Sequence, residues 1–181
     1  MIEIVFYLAA WPDEFTVEAM RIRSHLRDRA LRIDHVGSTA VPGLSAKPII
    51  DIQISVASLT PRGLFTQDMA ALGYSHLDLG DFDLVYPYFR RPDEWPHTHH
   101  VHICEHGGEQ ERRHLAFRDY LRRHPDRAAE YLSLKRYLAD VHRGSDQHSR
   151  EQYALGKSAF VEGVIALAFQ EGLPNLGRSD G

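Results

Sequence analysis

The residues best suited to chemistry begin in a loop and the strand that follows it. Gly37 and Ser38 follow a first predicted strand, and the backbone N–H groups and hydroxyl of such a loop can hold a phosphate group. Asp51 lies in the next predicted strand, where its carboxylate could bind a divalent cation. This pattern favours a phosphate pocket facing a metal ligand. The alternative is that the glycines only turn the chain and that Asp51 is a hydrogen-bonded buried residue.

A second candidate is a strand rich in histidine. Of the 12 histidines in the chain, five fall between residues 97 and 106. His100 and His102 share one face of this predicted strand because side chains alternate along a strand. Together with Asp51 they could bind Zn²⁺ or Mn²⁺, or a histidine could act as a general acid toward a phosphate. The alternative is a half-buried polar sheet face, since no His-Glu-x-x-His or Cys-x-x-Cys spacing supports a metal site.

Basic side chains that could neutralise a phosphate are Lys47, Arg118, Lys135 and Lys157. Guanidinium and ammonium groups both form charge-assisted hydrogen bonds to phosphate oxygens. For Arg118 and Lys135 a solvated helix face is an equally good interpretation. Cys104 is expected to be a buried core residue and not a nucleophile.

Length and composition limit the class of protein. A chain of 181 residues suits one domain. A single cysteine cannot form an intramolecular disulfide, so we expect a cytoplasmic protein. No stretch reaches the roughly 18 apolar residues that a membrane span needs. The formal charge of −4 gives no support to general nucleic-acid binding.

Hydrophobic periodicity predicts the elements that must position these residues. Strands are expected at 31–36, 49–56, 74–77, 83–90 and 98–104, the last two as a hairpin. Helices are expected at 13–29, from Pro61 to Gly73, and at 109–123, 126–142 and 147–170. The pattern indicates an α+β protein with a single domain over 1–170. Its α/β core would end at about residue 106, a helical part would follow from about 107 to 170, and 171–181 would be a flexible tail.

The segment from residue 35 to 52, HVGSTAVPGLSAKPIIDI, resembles the signature of the GrpB family. Shorter stretches at 98–103, 113–121, 131–135 and 157–160 are similar to that family in the same order. The resemblance runs from about residue 2 to 170. It implies a nucleotidyltransferase-like mixed β-sheet flanked by helices, with a helical C-terminal third. A Gly-Ser loop and strand carboxylates would then surround a nucleotide and Mg²⁺.

The chain departs from the metal-site pattern of the nucleotidyltransferase-fold superfamily, to which the resemblance to GrpB points. The resemblance implies two carboxylates one residue apart on a strand, often with a third carboxylate on a neighbouring strand. Asp51 matches the first position, but Gln53 occupies the second and His102 stands at the expected third. A neutral amide offers oxygen without the charge that a second metal ion requires. The expected site residues, grouped by role, are Asp51, Gln53 and His102 for catalysis; Gly37, Ser38, Thr39, Lys47, Arg118, Lys135 and Lys157 for ligand binding; and Asp51, His100 and His102 for a metal.

Two functions stay open at this point. The first is binding of a nucleotide or another phosphorylated small molecule, with nucleotidyl transfer at an atypical site that uses Mg²⁺, or Mn²⁺ or Zn²⁺ if the histidine strand takes part. The second is a non-catalytic accessory domain with a protein partner. GrpB-like domains also occur fused to dephospho-coenzyme A kinase, where the resemblance implies a folding or regulatory role. Neither a membrane nor a nucleic acid is expected as a partner.

Overall fold

The computed structural model describes residues 2–144, 146–174 and 176, without the side chain of Arg62. Most of the predicted flexible tail, residues 175 and 177–181, lies outside the described residues. In the part of the tail that is described, Leu173 is buried against the C-terminal helices, so this residue belongs to the core.

A mixed five-stranded sheet forms the centre of the described chain. Its strands are β1 (Arg32–Val36), β2 (Ile50–Val56), β3 (Ser75–Leu77), β4 (Tyr88–Arg91) and β5 (His99–Glu105), in the order β1-β2-β5-β4-β3. Every neighbouring pair is antiparallel except β2 and β5, which run parallel. The parallel register sets Asp51 beside His100 and Gln53 beside His102.

Six α-helices accompany the sheet in the described residues. They are α1 (Trp11–Leu26), α2 (Arg62–Ala71), α3 (Glu109–Arg123), α4 (Pro125–Val141), α5 (Gln147–Leu155) and α6 (Ser158–Gln170). Phe15, Ile22 and Leu26 recur at helical spacing along α1 and are all buried. This apolar stripe is what holds α1 against the sheet.

The two faces of the sheet differ because apolar and polar residues alternate along β2 and β5. Ile52, Ile54, Val101 and Ile103 are fully buried in the core that α1 and α2 cover. Each such side chain contributes about 1.5–3 kcal/mol by leaving water. The opposite face carries the polar residues and faces α3, where the Ser55 hydroxyl donates to the Glu111 carboxylate at 2.9 Å. The candidate site residues therefore lie on the helical side of the sheet.

Two segments differ from the sequence-based expectation. The strand predicted at 83–90 is a 3₁₀ helix over Gly80–Leu84, and β4 begins only at Tyr88. Leu84 and Val85 are 53% and 50% exposed, so the alternation there does not mark a buried strand face. The helix predicted at 147–170 is broken between α5 and α6 at residues 156 and 157. The first helix also ends earlier, because Arg27 has a positive φ of 53°.

The predicted α+β class, the mixed sheet flanked by helices and the helical C-terminal third are confirmed. The hairpin of the fourth and fifth strands is confirmed as well. No helix in the described part of the chain has both the length and the apolar content required to cross a membrane.

Candidate functional site

A cavity of about 390 Å³ lies on the polar side of the sheet. It is lined by the loop between β1 and β2, by β2, β4 and β5, and by four of the C-terminal helical segments. Most of the predicted site residues line it: Gly37, Ser38, Thr39, Lys47, Asp51, His100, His102, Lys135 and Lys157. The fold thus gathers residues that are up to 120 positions apart in sequence around one cavity of ligand size.

The loop after β1 needs glycine at its first position. Gly37 has a φ of 70°, which side chains disfavour, and a Cβ there would lie 2.9 Å from Asp51 Cγ. The carboxylate therefore packs directly against the loop backbone. Ser38 lines the cavity together with Tyr131. Thr39 is buried and its hydroxyl donates to the Ile49 carbonyl at 3.1 Å, so this side chain supports the loop.

Asp51 ends a chain of hydrogen bonds between side chains. His100 Nδ1 lies 3.1 Å from Asp51 Oδ1, and His97 Nδ1 lies 3.0 Å from His100 Nε2. Burial would raise the pKa of Asp51, but the hydrogen bond from His100 and nearby positive charges outweigh it. The pKa of Asp51 consequently lies below its usual range, and its carboxylate is ionised at neutral pH.

Three lysines surround this carboxylate, and they are the only lysines in the chain of 181 residues. Lys47 lies 5.0 Å and Lys157 lies 4.6 Å from the centre of the Tyr153 ring. Lys135 is buried and donates to the Ser45 carbonyl at 2.6 Å. Each ammonium therefore rests on an aromatic ring or a carbonyl oxygen beside the cavity, as Lys135 also does on Tyr131 at 4.9 Å.

The pKa values of all three lysines are lowered, and two of the lysines lose their protons near neutral pH. Burial lowers the pKa of Lys135 to about 7, and the charges of Lys157 and Lys47 add to the effect. Burial and the charge of Lys47 also lower the pKa of Lys157 to about 7. Burial lowers the pKa of Lys47 too, although Asp51 opposes this. An anion entering the cavity would favour the charged form of all three.

A wall of rings closes another side of the cavity. It contains His102, His114, Tyr88 and Phe117. Burial lowers the pKa of His102 to about 3, and the charge of His114 adds to this, so His102 is a neutral imidazole. Its Nδ1 is buried without a hydrogen-bond partner in the described structure.

Gln53 and Arg118, which the sequence predicts as site residues, do not line this cavity. Gln53 is fully buried; its amide accepts a hydrogen bond from the Tyr86 hydroxyl and donates one to the Glu111 carbonyl, both at 3.4 Å. Arg118 is also buried and donates to the His35 carbonyl at 3.1 Å and to Asp119 at 2.7 Å. Both side chains connect elements and have no contact surface for a ligand.

The protein residues do not fit a metal centre. Among the described residues, no group of three or more His, Cys, Asp or Glu side chains is arranged to hold a metal ion. Asp51 and His100 are hydrogen-bonded to each other, and Gln53 is buried behind them. With three ammonium groups around a single carboxylate, the charge of the cavity suits an anion better than a divalent cation.

Sequence reasoning missed part of the cavity wall. Tyr131 and His114 lie within stretches that carry the family resemblance, and that signal could have marked them. Tyr153 and Phe117 are aromatic residues on helices and read as ordinary core residues in the sequence. Only the packing of α5 against the loop reveals that Tyr153 supports two lysines.

Comparison with known proteins gives consistent matches over nearly the whole chain. A family model described as GrpB protein matches residues 1–166. The UPF0157 protein YqkA of Bacillus subtilis is 37% identical over 161 residues, which is 89% of this chain. The chain spans 45% of the length of that relative.

Two further matches concern structure and domain context. The crystal structure of conserved protein GrpB from Enterococcus faecalis covers 94% of this chain and 99% of its own, with 36% identity and a TM-score of 0.81. The dephospho-CoA kinase of Mycolicibacterium paratuberculosis is 34% identical over 149 residues, which is 70% of this chain and 37% of that protein.

Proposed function

The chain belongs to the GrpB family, and on that premise we propose that its cavity binds a small phosphorylated molecule, either a nucleotide or another phosphate ester. The observation that carries the proposal is the gathering of Lys47, Lys135 and Lys157 around one cavity. The chain has 21 Lys and Arg residues, and all of them except these three are arginines. Every lysine of the sequence therefore lines the cavity.

The charge of the cavity supports an anionic ligand. Three ammonium groups face one ionised carboxylate in a protein whose overall formal charge is −4. A hydrogen bond between an ammonium group and a phosphate oxygen contributes about 1.5–3 kcal/mol. Gly37 and Ser38 add a polar loop that a phosphate can approach closely, since glycine leaves the backbone exposed. The lysines would supply the positive charge that Mg²⁺ supplies in metal-dependent sites.

Calorimetric titration tests this proposal. The titrants are inorganic phosphate, pyrophosphate, AMP and ATP, each in EDTA and each with Mg²⁺. We expect at least one of them to bind in EDTA. Lys135→Met should weaken that binding at least tenfold, because it removes an ammonium group and keeps the volume.

The matched control for charge is Arg123→Met, which removes the same charge from an exposed position outside the cavity. It should bind like the original protein. If none of the four compounds binds to the folded protein, or if Lys135→Met and Arg123→Met bind equally well, the proposal is wrong.

A second candidate is a non-catalytic accessory domain, and the position of Gln53 favours it. Where a second metal carboxylate would stand, a neutral amide is buried and bonded to Tyr86 and Glu111. The match to dephospho-CoA kinase is consistent with such a domain. ³¹P NMR of the protein with ATP and Mg²⁺ tests it: cleavage of the triphosphate by the original protein but not by Asp51→Asn would exclude a purely accessory role.

A further inference from the structure

Two imidazoles form a flat surface in the wall of the cavity. His102 and His114 each lie nearly parallel to the Tyr86 ring, at 13° and 14°, with centroid distances of 4.4 and 4.6 Å. If the two imidazoles were stacked on opposite faces of Tyr86, their centroids would lie about 7 Å apart or more, because each stacked pair of rings is separated by the contact distance of carbon atoms. The His102 and His114 centroids are only 5.9 Å apart and their planes differ by 22°. The two imidazoles therefore lie side by side on the same face of Tyr86; we call this pair the imidazole platform.

The platform has the properties of a stacking surface. Tyr86 behind it is buried and almost without exposure, while both histidines line the cavity. Burial lowers the pKa of both histidines, so each is uncharged at neutral pH. His114 Nδ1 donates to the Gln110 carbonyl at 2.9 Å, which fixes the orientation of its ring.

Hydrogen-bonding capacity adds to this surface. His102 Nδ1 is buried and has no hydrogen-bond partner among the residues that the structure describes. Buried polar atoms of this kind are rare because an unmade hydrogen bond is costly. A ligand group that bonds to the His102 ring would remove that cost.

We propose that the ligand carries a planar heterocyclic ring, stacked on the imidazole platform, in addition to the phosphate group held by the lysines. This inference rests on the proposed function and names the class of ligand more closely: a phosphate monoester of the size of a nucleoside monophosphate. A cavity of about 390 Å³ is near the small end of ligand sites, which favours one ring and one phosphate over a larger molecule.

The division of the cavity supports the same class. Charged groups that attract a phosphate come from the loop, from α4 and from the turn before α6, through Lys47, Lys135 and Lys157. The platform comes from β5 and α3, through His102 and His114. A neutral aromatic surface has no positive charge with which to bind a second phosphate, whereas a planar ring can stack on it favourably.

A matched pair of compounds tests the inference: AMP carries a base that ribose 5-phosphate lacks. Their affinities are measured by calorimetry for the original protein and for His114→Ala and His114→Phe, with His148→Ala as an exposed control. We expect AMP to bind about ten- to a hundredfold more tightly than ribose 5-phosphate. His114→Ala should remove most of this preference, while His114→Phe, which keeps a ring, and His148→Ala should retain it.

Contradictory results separate the two proposals. Equal affinity for AMP and ribose 5-phosphate in the original protein would overturn the stacking inference and leave phosphate binding intact. An AMP preference that survives in folded His114→Ala would overturn it as well. If neither compound nor inorganic phosphate binds, phosphate binding itself fails. Thermal unfolding of each variant confirms that the protein compared is folded.

Discussion

At the scale of single residues, the cavity depends on the difference between lysine and arginine. Arginine keeps its proton at any physiological pH, whereas a buried lysine releases it readily. Sequence analysis placed Lys47, Lys135 and Lys157 among the ligand contacts, and all three line the cavity. Arg118 and Gln53 lie outside the cavity lining because their contacts, to His35 and Glu111, join segments 83 and 58 residues apart. Such long-range contacts leave no local pattern in the sequence.

The lowered pKa values of Lys135 and Lys157, both about 7, make the affinity for an anion dependent on pH. A bound phosphate stabilises the ammonium form and so raises both pKa values, and binding takes up protons above pH 7. Affinity should therefore fall as the pH rises from 7 to 9, by at most about tenfold per pH unit for each proton taken up. Below about pH 6 protonation of the phosphate itself should weaken binding again.

Calorimetry in buffers of different ionisation enthalpy measures this proton uptake directly. The number of protons taken up at pH 8 should be smaller for Lys135→Met than for the original protein, and unchanged for Arg123→Met. An affinity that stays constant from pH 7 to 9 would mean that these lysines do not contact the anion.

At the scale of elements, the break between α5 and α6 decides where Lys157 lies. The apolar periodicity of residues 147–170 is continuous and predicts one helix, yet the chain turns at Gly156. Lys157 then precedes α6 and points its ammonium toward Tyr153. Apolar periodicity shows which residues face the core, and α5 and α6 both have an apolar face. It does not show where the chain turns, and the turn at Gly156 packs closely against Leu138 of α4. Conversely, α3 has the bounds that the periodicity predicts, and the histidine strand is a neighbour of β2 as expected; that the two strands run parallel is a finding of the structure.

A pair of glycine substitutions tests this break. A Cβ on Gly156 would lie 2.6 Å from Leu138 Cδ2, so Gly156→Ala must displace the buried Leu138 side chain or the helix that carries it. We expect it to lower the free energy of unfolding by about 1–3 kcal/mol, as overpacking does. Gly163→Ala, within α6, meets no atom within 4 Å and should raise it by about 0.5–1 kcal/mol.

Urea denaturation measures both changes. If Gly156→Ala proves as stable as Gly163→Ala, the close packing of this junction against Leu138 is not a determinant of the fold. Affinity for the phosphate compound, measured on the same samples, should fall only in Gly156→Ala, because Lys157 adjoins that residue.

At the scale of the whole molecule, one sheet separates an apolar core from a polar, histidine-rich face. Ile52, Ile54 and Val101 are buried together because apolar and polar residues alternate strictly along β2 and β5, and this alternation fixes which face is buried. The predicted start of the fourth strand at Asp83 was wrong, because alternation alone does not show whether either face is buried, and the strand begins at Tyr88. The sequence thus predicted the layers of the molecule, while the shape of the cavity emerged only when distant helices were packed on the sheet.

Burial of neutral histidines in and beside β5 predicts loss of stability in acid. Burial lowers the pKa of His97 and His99 to about 4 and that of His102 to about 3. The unfolded chain, with a histidine pKa of about 6.5, binds these protons earlier as the pH falls. Stability should therefore decrease from pH 6.5 to 4.5 by about 1.4 kcal/mol per pH unit for each proton.

Urea denaturation at several pH values measures the slope. His102→Phe should reduce it by about one proton, whereas the exposed His148→Gln should leave it unchanged. A slope that is the same in all three proteins would show that His102 is protonated in the folded state.

The confinement of lysine to the cavity also governs how the protein can be modified. Apart from an α-amino group, Lys47, Lys135 and Lys157 carry the only primary amines in this sequence. Apart from an α-amino group, acetyl donors and amine-coupling reagents would therefore react among the described residues at the cavity lysines, and first at Lys47 and Lys157, which are less buried than Lys135. Attachment of the protein to a sensor through its amines would block the very site under study, while the extent of amine labelling, read by mass spectrometry, would report directly how much of the cavity is occupied.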